Sequence, residues 1–281
     1  MRLLTCLFLF LSGFVFGQTN SLLYQIKGKD KKTSYLFGTL HMIPDSLYYF
    51  PGKLDKIISK SDEVVLEVGN LSDQGEVMKL MTLESGSCFD IFTPEQKDSV
   101  VNWGASMLGI KPEQFEKGFD KRKPYTLLQL GLQKMISGKI HMLDMEIDSK
   151  AQSNKIPVSG LETIEYQLSI FDRMPKEEMA ELIMETIRHP EAGEKGFIEM
   201  LRAYHNQDLE KLSKLILESD GLGSSTEELL EKRNQNWVPK MDTLMNSKAC
   251  FFAVGAGHLG GQNGMIQLLR QKGYEVTPVK Y

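Results

Sequence analysis

The stretch Tyr35-Leu36-Phe37-Gly38-Thr39-Leu40-His41 is an apolar run that ends in a Gly-x-x-His step. A second stretch of the same design, Phe251-Phe252-Ala253-Val254-Gly255-Ala256-Gly257-His258, lies near the other end of the chain. Aromatic and β-branched residues favour strands, so we expect each histidine to emerge where a strand leaves a sheet. Open α/β sheets bind ligands at that edge. The pair therefore predicts one site assembled from both ends of the chain.

The glycines of the two steps, Gly38 and Gly255, have a predicted structural role. A side chain at either position would crowd the backbone or forbid positive φ as the strand turns off. We expect close packing or a special backbone conformation at both.

The remaining patterns predict an α/β fold. The runs that predict strands are 21–27 and 34–40, which form a hairpin, and 63–68, 156–162, 249–254 and 274–279. Helical patterns fill most of the rest. Strands near both ends with a helical middle predict a central mixed β-sheet flanked by helices, with an inserted helical cap at about 70–155.

The first 17 residues carry one positive charge and then an apolar core, which is typical of a secretory signal peptide. The apolar run is shorter than the roughly 18 residues that a membrane span needs. We therefore expect cleavage near Gly17, export to the periplasm or outside the cell, and no stable membrane insertion. Residues 18–281 form the single predicted α/β domain.

Composition restricts the partners of the exported chain. Residues 18–281 carry 32 basic and 37 acidic side chains, a net charge of −5. This mild acidity argues against nucleic acid as a partner, so we expect a peptide or small-molecule substrate. Cys88 and Cys250 remain after processing, and the sequence leaves open whether they pair. It also leaves the oligomeric state open.

Two carboxylates join the paired histidines as candidate site residues. Glu67 interrupts the apolar run 63–68, where a carboxylate is costly to bury unless a cation or hydrogen bonds stabilise it. Glu162 follows another apolar strand and could serve the site or cap the next helix. Arg233 and Asn234 could offer a positive fork and an amide to an oxyanion. We interpret the other histidines, His141, His189 and His205, as structural.

One further motif is typical of a different ligand, a dinucleotide. The sequence Gly255-Ala256-Gly257-His258-Leu259-Gly260 fits the dinucleotide pattern G-x-G-x-x-G. That fingerprint opens a βαβαβ half-domain, whereas this chain has only one more predicted strand to contribute. We therefore predict no dinucleotide cofactor.

These residues together resemble the TraB/GumN family, which includes the TIKI metalloproteases. The resemblance rests on both Gly-x-x-His motifs, the strand ending in Glu67, and the steps Leu143-Asp144, Gly160-Leu161-Glu162-Thr163 with Gln167, and Arg233-Asn234. It implies a fold similar to that of erythromycin esterase and ChaN-like proteins. For the TIKI branch, it also implies divalent-metal-dependent peptide hydrolysis that uses the two motif histidines and the glutamate.

The leading hypothesis is an exported metal-dependent hydrolase that acts as a peptidase. Its metal, Zn or Mn by ligand type, is held by His41, Glu67 and His258, with Glu162 as a further ligand or base. Arg233 and Asn234 complete the predicted catalytic set. One alternative is a metal-free esterase-like hydrolase with a histidine as general base. The other is a non-catalytic binding protein for peptide, haem or metal.

Overall fold

Six strands form the central sheet in the part of the chain that this computed structural model describes, residues 20–69, 74–135, 138–218 and 226–281. Together with a small two-stranded sheet, the strands of these residues are β1 (Leu23–Lys27), β2 (Ser34–Thr39), β3 (Ile43–Pro44), β4 (Glu63–Val68), β5 (Ile140–His141), β6 (Val158–Glu162), β7 (Cys250–Gly255) and β8 (Glu275–Pro278). The main sheet has the order β6-β4-β7-β2-β1-β8, and β3 pairs with β5 separately. The predicted fold class, α/β with a central mixed sheet, is confirmed.

Four neighbouring strands of this sheet run in the same direction. β7 pairs in parallel with β2 on one side and β4 on the other, and β4 pairs in parallel with β6. β1 is antiparallel to both of its neighbours, β2 and β8. The carboxyl ends of β2, β7, β4 and β6 therefore meet at one edge. There Thr39 pairs with Gly255 and Val68 with Glu162, which brings the two ends of the chain together.

Helices surround the sheet. They are α1 (Gly52–Ile58), α2 (Gln74–Leu80), α3 (Pro94–Leu108), α4 (Pro112–Phe119), α5 (Tyr125–Met135), α6 (Leu143–Ser153), α7 (Ile164–Arg173), α8 (Lys176–Arg188), α9 (Pro190–His205), α10 (Leu209–Leu217), α11 (Lys232–Met245) and α12 (Met265–Gln271). Local sequence sets their ends. In α3, Thr93 forms a capping box with Gln96, Pro94 starts the first turn, and Gly109 ends the helix with a φ of 66°.

The described residues form two hydrophobic cores. The larger core contains the central sheet. Strand β7 lies at the centre of this core, since its residues 250–254 are fully buried. The smaller joins α3, α4 and α5, from the predicted cap at 70–155, to α7 and α8 from beyond it. Cys88 lies in the smaller core and Cys250 in the larger, and both are free thiols.

The predicted signal peptide, residues 1–17, lies outside the described residues. Among the helices that are described, none is long and apolar enough to cross a membrane.

The glycine of the first motif is needed for space. A Cβ on Gly38 would lie 2.6 Å from Leu259 Cδ1 and 3.1 Å from Ala256 Cα. Neither Gly38 nor Gly255 has a positive φ, so a special backbone conformation does not explain why these positions are glycine. The first Gly-x-x-His strand thus packs directly against the turn of the second, and close approach is the reason for the glycine.

We expect Gly38→Ala to destabilise the fold by about 1–3 kcal/mol, the usual cost of overpacking a close contact. The free energy of unfolding in urea measures the change. The matched control is Gly196→Ala in α9, where a Cβ meets no atom within 4 Å. Replacing a glycine by alanine inside a helix should stabilise the chain by roughly 0.5–1 kcal/mol. Equal effects of the two substitutions would contradict the packing explanation.

Candidate functional site

The guanidinium of Arg233 lies at the centre of a buried polar cluster. Its Nη2 donates to Glu67 Oε2 at 2.5 Å and to Glu162 Oε1 at 2.7 Å, while Nε also donates to the Glu162 carboxylate. Its Nη1 donates to Leu229 O at 2.9 Å and contacts His258 Nε2 at 3.1 Å. Arginine has five N–H donors, and all five are used inside the protein. Arg233 therefore joins β4, β6 and the turn after β7.

Glu67 is held as an anion although only 6% of its surface is exposed. Its Oε1 accepts the backbone N–H of Gly255 at 2.6 Å, and its Oε2 accepts from Gln167 at 3.0 Å besides Arg233. Burial alone would raise the pKa of this carboxyl. In acid, where His258 also becomes protonated, its charge and the charges of Arg233 and His41 outweigh burial and lower the pKa of Glu67 to about 2.

Glu162 is fixed in the same cluster. Besides Arg233, its Oε2 accepts the indole N–H of Trp237 at 2.9 Å. Burial raises the pKa of Glu162, while its hydrogen bond to Arg233 opposes that rise. Trp237 lies one helical turn after Arg233, so both side chains leave the same face of α11.

His258 has its tautomer set by its neighbours. The amide nitrogen of Asn234 donates to two backbone carbonyls, His258 O at 3.2 Å and Asn263 O at 2.8 Å. The amide oxygen must then face His258 Nδ1, at 2.8 Å, so Nδ1 carries the proton. Nε2 is left as an acceptor for Arg233. Burial, followed by the charges of Arg233 and His41, lowers the pKa of His258 to about 3 despite Glu67, so the ring is neutral.

His41 differs from the rest of the cluster because its side chain is 63% exposed. Its Nδ1 is 2.8 Å from Asp144 Oδ2, and the other oxygen of Asp144 accepts from Thr39 Oγ1 at 2.9 Å. The hydrogen bond to Asp144 is the main cause that raises the pKa of His41, to about 9. An exposed imidazole oriented by a carboxylate has the arrangement of a general base.

The three predicted metal ligands meet around Gly255. A Cβ on this glycine would lie 3.2 Å from Glu67 Oε1, 3.7 Å from His258 Cδ2 and 3.7 Å from His41 Nε2. Nδ1 of each histidine is engaged by a partner, and His41 turns its Nε2 toward this shared space. The single-site hypothesis therefore agrees with the geometry.

The ligand atoms themselves are largely occupied. The one lone pair of His258 Nε2 faces Arg233, and both oxygens of Glu67 accept hydrogen bonds. Across the described ranges, no group of three or more His, Cys, Asp or Glu side chains is arranged to hold a metal ion. As arranged here, the three residues do not fit a metal.

A supporting contact fixes the helix that carries Asp144. His141, in the small β3–β5 sheet, lies 2.7 Å from both Asp45 Oδ1 and Glu146 Oε1, and its ring stacks on Tyr48 at 3.7 Å. Hydrogen bonds to Asp45 and then Glu146 raise the pKa of His141. Since Glu146 follows Asp144 by two residues in α6, this contact holds the start of that helix beside the segment that follows β3.

The structure brings together all six predicted site residues: His41, Glu67, Glu162, Arg233, Asn234 and His258. Asp144 and Gln167 had no predicted role beyond the family resemblance, and Trp237 was not predicted as a site residue at all. The i, i+4 spacing from Arg233 was a usable signal for Trp237. No local pattern indicated that Asp144 pairs with a histidine 103 positions away.

Comparison with known proteins shows where similar chains occur. The model of the TraB/PrgY/gumN family matches residues 22–278. Metalloprotease TIKI1 from Danio rerio is 23% identical over 92% of this chain, which spans 63% of that protein's length. A metalloprotease TIKI homolog from Nematostella vectensis is 21% identical over 93% of this chain and 67% of its own length. The uncharacterized protein YbaP from Shigella flexneri is 23% identical over 84% of this chain and 88% of its own length. No solved structure matches.

The lowered pKa of Glu67 predicts a specific loss of stability in acid. Its ordinary value is 4.5 and its folded value about 2, so the folded chain binds fewer protons than the unfolded chain between those pH values. The stabilisation is complete above pH 4.5 and is lost as pH falls toward about 2. Urea unfolding from pH 7 to pH 2 should show a shallower decline in Glu67→Gln than in wild type. The exposed Glu84→Gln should keep the wild-type slope, and equal slopes in all three proteins would contradict the prediction.

Proposed function

The chain belongs to the TraB/PrgY/gumN family, and from this membership we propose that it is a peptidase-like hydrolase in which His41 is the catalytic base. The observation that carries the proposal is the contrast in exposure. The side chain of His41 is 63% exposed, whereas the side chains of Glu67, Arg233 and His258 are each no more than 7% exposed. A substrate can therefore reach His41, while the buried residues position it.

The proposed reaction depends on which ring nitrogen of His41 carries the proton. In the neutral ring, Nδ1–H donates to Asp144 and Nε2 holds the lone pair that faces the shared space. Nε2 takes a proton from a water molecule, whose oxygen then forms a bond to the substrate carbonyl carbon. The same proton passes to the departing amine as the carbon–nitrogen bond breaks. Asp144 and Glu67 stabilise the imidazolium between these two steps.

The predicted roles of Arg233 and Asn234 as oxyanion donors stay predictions. Every N–H of Arg233 already donates within the cluster, and the amide nitrogen of Asn234 donates to two backbone carbonyls. These contacts favour positioning roles, in which Arg233 holds Glu67 and Asn234 orients His258.

Metal-dependent hydrolysis with Zn or Mn is the second candidate. It is supported by the names of the TIKI relatives and by the anchoring of each imidazole through Nδ1, the arrangement that metal-ligating histidines usually have. The occupied lone pair of His258 counts against it. The proposed function includes export of the chain after removal of residues 1–17, whichever candidate reaction is correct. The apolar amino-terminal segment supports export.

Removing the imidazole of His41 should lower hydrolysis by roughly 10²- to 10⁴-fold, the contribution of a positioned acid or base. The test compares wild type with His41→Gln on a proteome-derived peptide library read by mass spectrometry, and then on one cleaved peptide. His189→Gln, another exposed histidine, is the control and should retain wild-type turnover. Full turnover by His41→Gln would contradict the proposal.

The same assay with EDTA separates the two candidates. A rate unchanged by the chelator supports His41 as a base without metal, whereas a rate lost in EDTA and restored by Mn²⁺ or Zn²⁺ supports the metal-dependent candidate.

The pH dependence should identify Asp144 as the positioning partner of His41. A base acts when deprotonated, so kcat/KM should rise with pH through the raised pKa of His41, about 9. Asp144→Asn removes the charge that stabilises the imidazolium, so this pKa should fall. The rising limb of the profile should then move to lower pH. A lower rate without any displacement of that limb would indicate a purely structural role for Asp144.

A further inference from the structure

The contact between His258 and Arg233 has a direct consequence for ion binding. An imidazole nitrogen has one lone pair in the plane of the ring, and on Nε2 of His258 it faces Arg233 Nη1 at 3.1 Å. A zinc ion bound to this nitrogen would lie about 2.0–2.1 Å from it on the same side. That position is far inside the contact distance of Nη1. His258 therefore cannot bind an ion unless Arg233 moves away.

Arg233 is held firmly in that place. It is 6% exposed, forms ion pairs with Glu67 and Glu162, and lies 4.6 Å from the centre of the Trp237 ring. Moving it would leave two carboxylates buried without their counter-charge, which is strongly unfavourable.

The charges point the same way. Glu67 and Glu162 are the two acidic groups that Arg233 contacts, and the guanidinium already supplies them with a positive charge. A divalent ion beside Nη1 would add repulsion with Arg233 at very short range. The cluster thus contains a cation that is part of the chain.

We propose that Arg233 is the resident cation of this cluster, that the wild-type chain does not use His258 to bind a divalent ion, and that neutralising Arg233 creates an ion site from His258, Glu67 and Glu162. The inference deepens the proposed function, since it rests on the cluster being the support of the catalytic His41. It differs from the ligand set that the resemblance to metalloproteases implies.

The first test uses the wild-type chain and His258→Gln. Glutamine can accept from Arg233 and donate to Asn234 as the histidine does, so the cluster keeps its hydrogen bonds. The chains are stripped with chelator and titrated with Mn²⁺ alone, and then with Zn²⁺ alone, by calorimetry. We expect the affinities of the two proteins to agree within about twofold. A loss of tenfold or more in His258→Gln would show that His258 is a ligand and would overturn the proposal.

The second test uses Arg233→Met, which removes the charge and the donors but keeps much of the length of the side chain. We expect it to bind Mn²⁺ at least tenfold more tightly than wild type, and the gain to vanish in the double variant Arg233→Met/His258→Gln. Arg202→Met, at an exposed position of α9, should leave the affinity unchanged. A folded Arg233→Met chain that binds Mn²⁺ no more tightly than wild type would overturn the proposal.

These experiments remain decisive if the variant is unstable. Circular dichroism with and without Mn²⁺ shows whether Arg233→Met is folded, and if it is not, the comparison of wild type with His258→Gln decides the matter. Ion binding is also measured independently of hydrolysis. Failure of the His41 variants to lose turnover would therefore reject the proposed function without affecting the assignment of Arg233.

Discussion

The ion pairs between Arg233 and the carboxylates of Glu67 and Glu162 are the interaction on which the rest of the site depends. Two acidic side chains at the carboxyl ends of buried strands could not remain ionised there alone, because removing one partner from a buried pair costs about 3–5 kcal/mol. A single guanidinium supplies donors to both. This constraint brings α11 onto the edge formed by β4, β7 and β6, and it leaves His258 as a neutral acceptor of a hydrogen bond.

The cluster divides its residues between support and contact with solvent. Support is given by buried side chains whose donors and acceptors satisfy one another, as in Asn234, which uses its amide nitrogen on backbone carbonyls and its oxygen on His258. His41 is the residue of the cluster that contacts solvent, and Asp144 of α6 orients its ring. Rigid support around one exposed titratable group is a general way to give that group a defined orientation. The need to orient His41 also explains why the turn after β2 forms hydrogen bonds to Asp144 of α6.

Much of the site could be predicted because its residues interrupt strong local patterns. Glu67 is conspicuous inside a run of valine and leucine, and His41 and His258 each follow a glycine at the end of an apolar strand. The partners could not be predicted in the same way. Asp144 lies in the first turn of a helix, where acidic residues are common for reasons unrelated to catalysis. The distance between it and His41 depends on how α6 packs.

The sequence by itself determined the six strands of the central sheet, the α/β class and the edge at which the paired motifs meet, because runs and alternation of apolar residues are local properties. It did not indicate the short strands β3 and β5. Only the tertiary structure decided which atoms face one another. Gly38 is required by the approach of Ala256 and Leu259 from the other end of the chain. The one lone pair of His258 Nε2 faces Arg233 because α11 crosses the sheet edge at that point. Such contacts join residues far apart in sequence, and the packing geometry that creates them has no local signal.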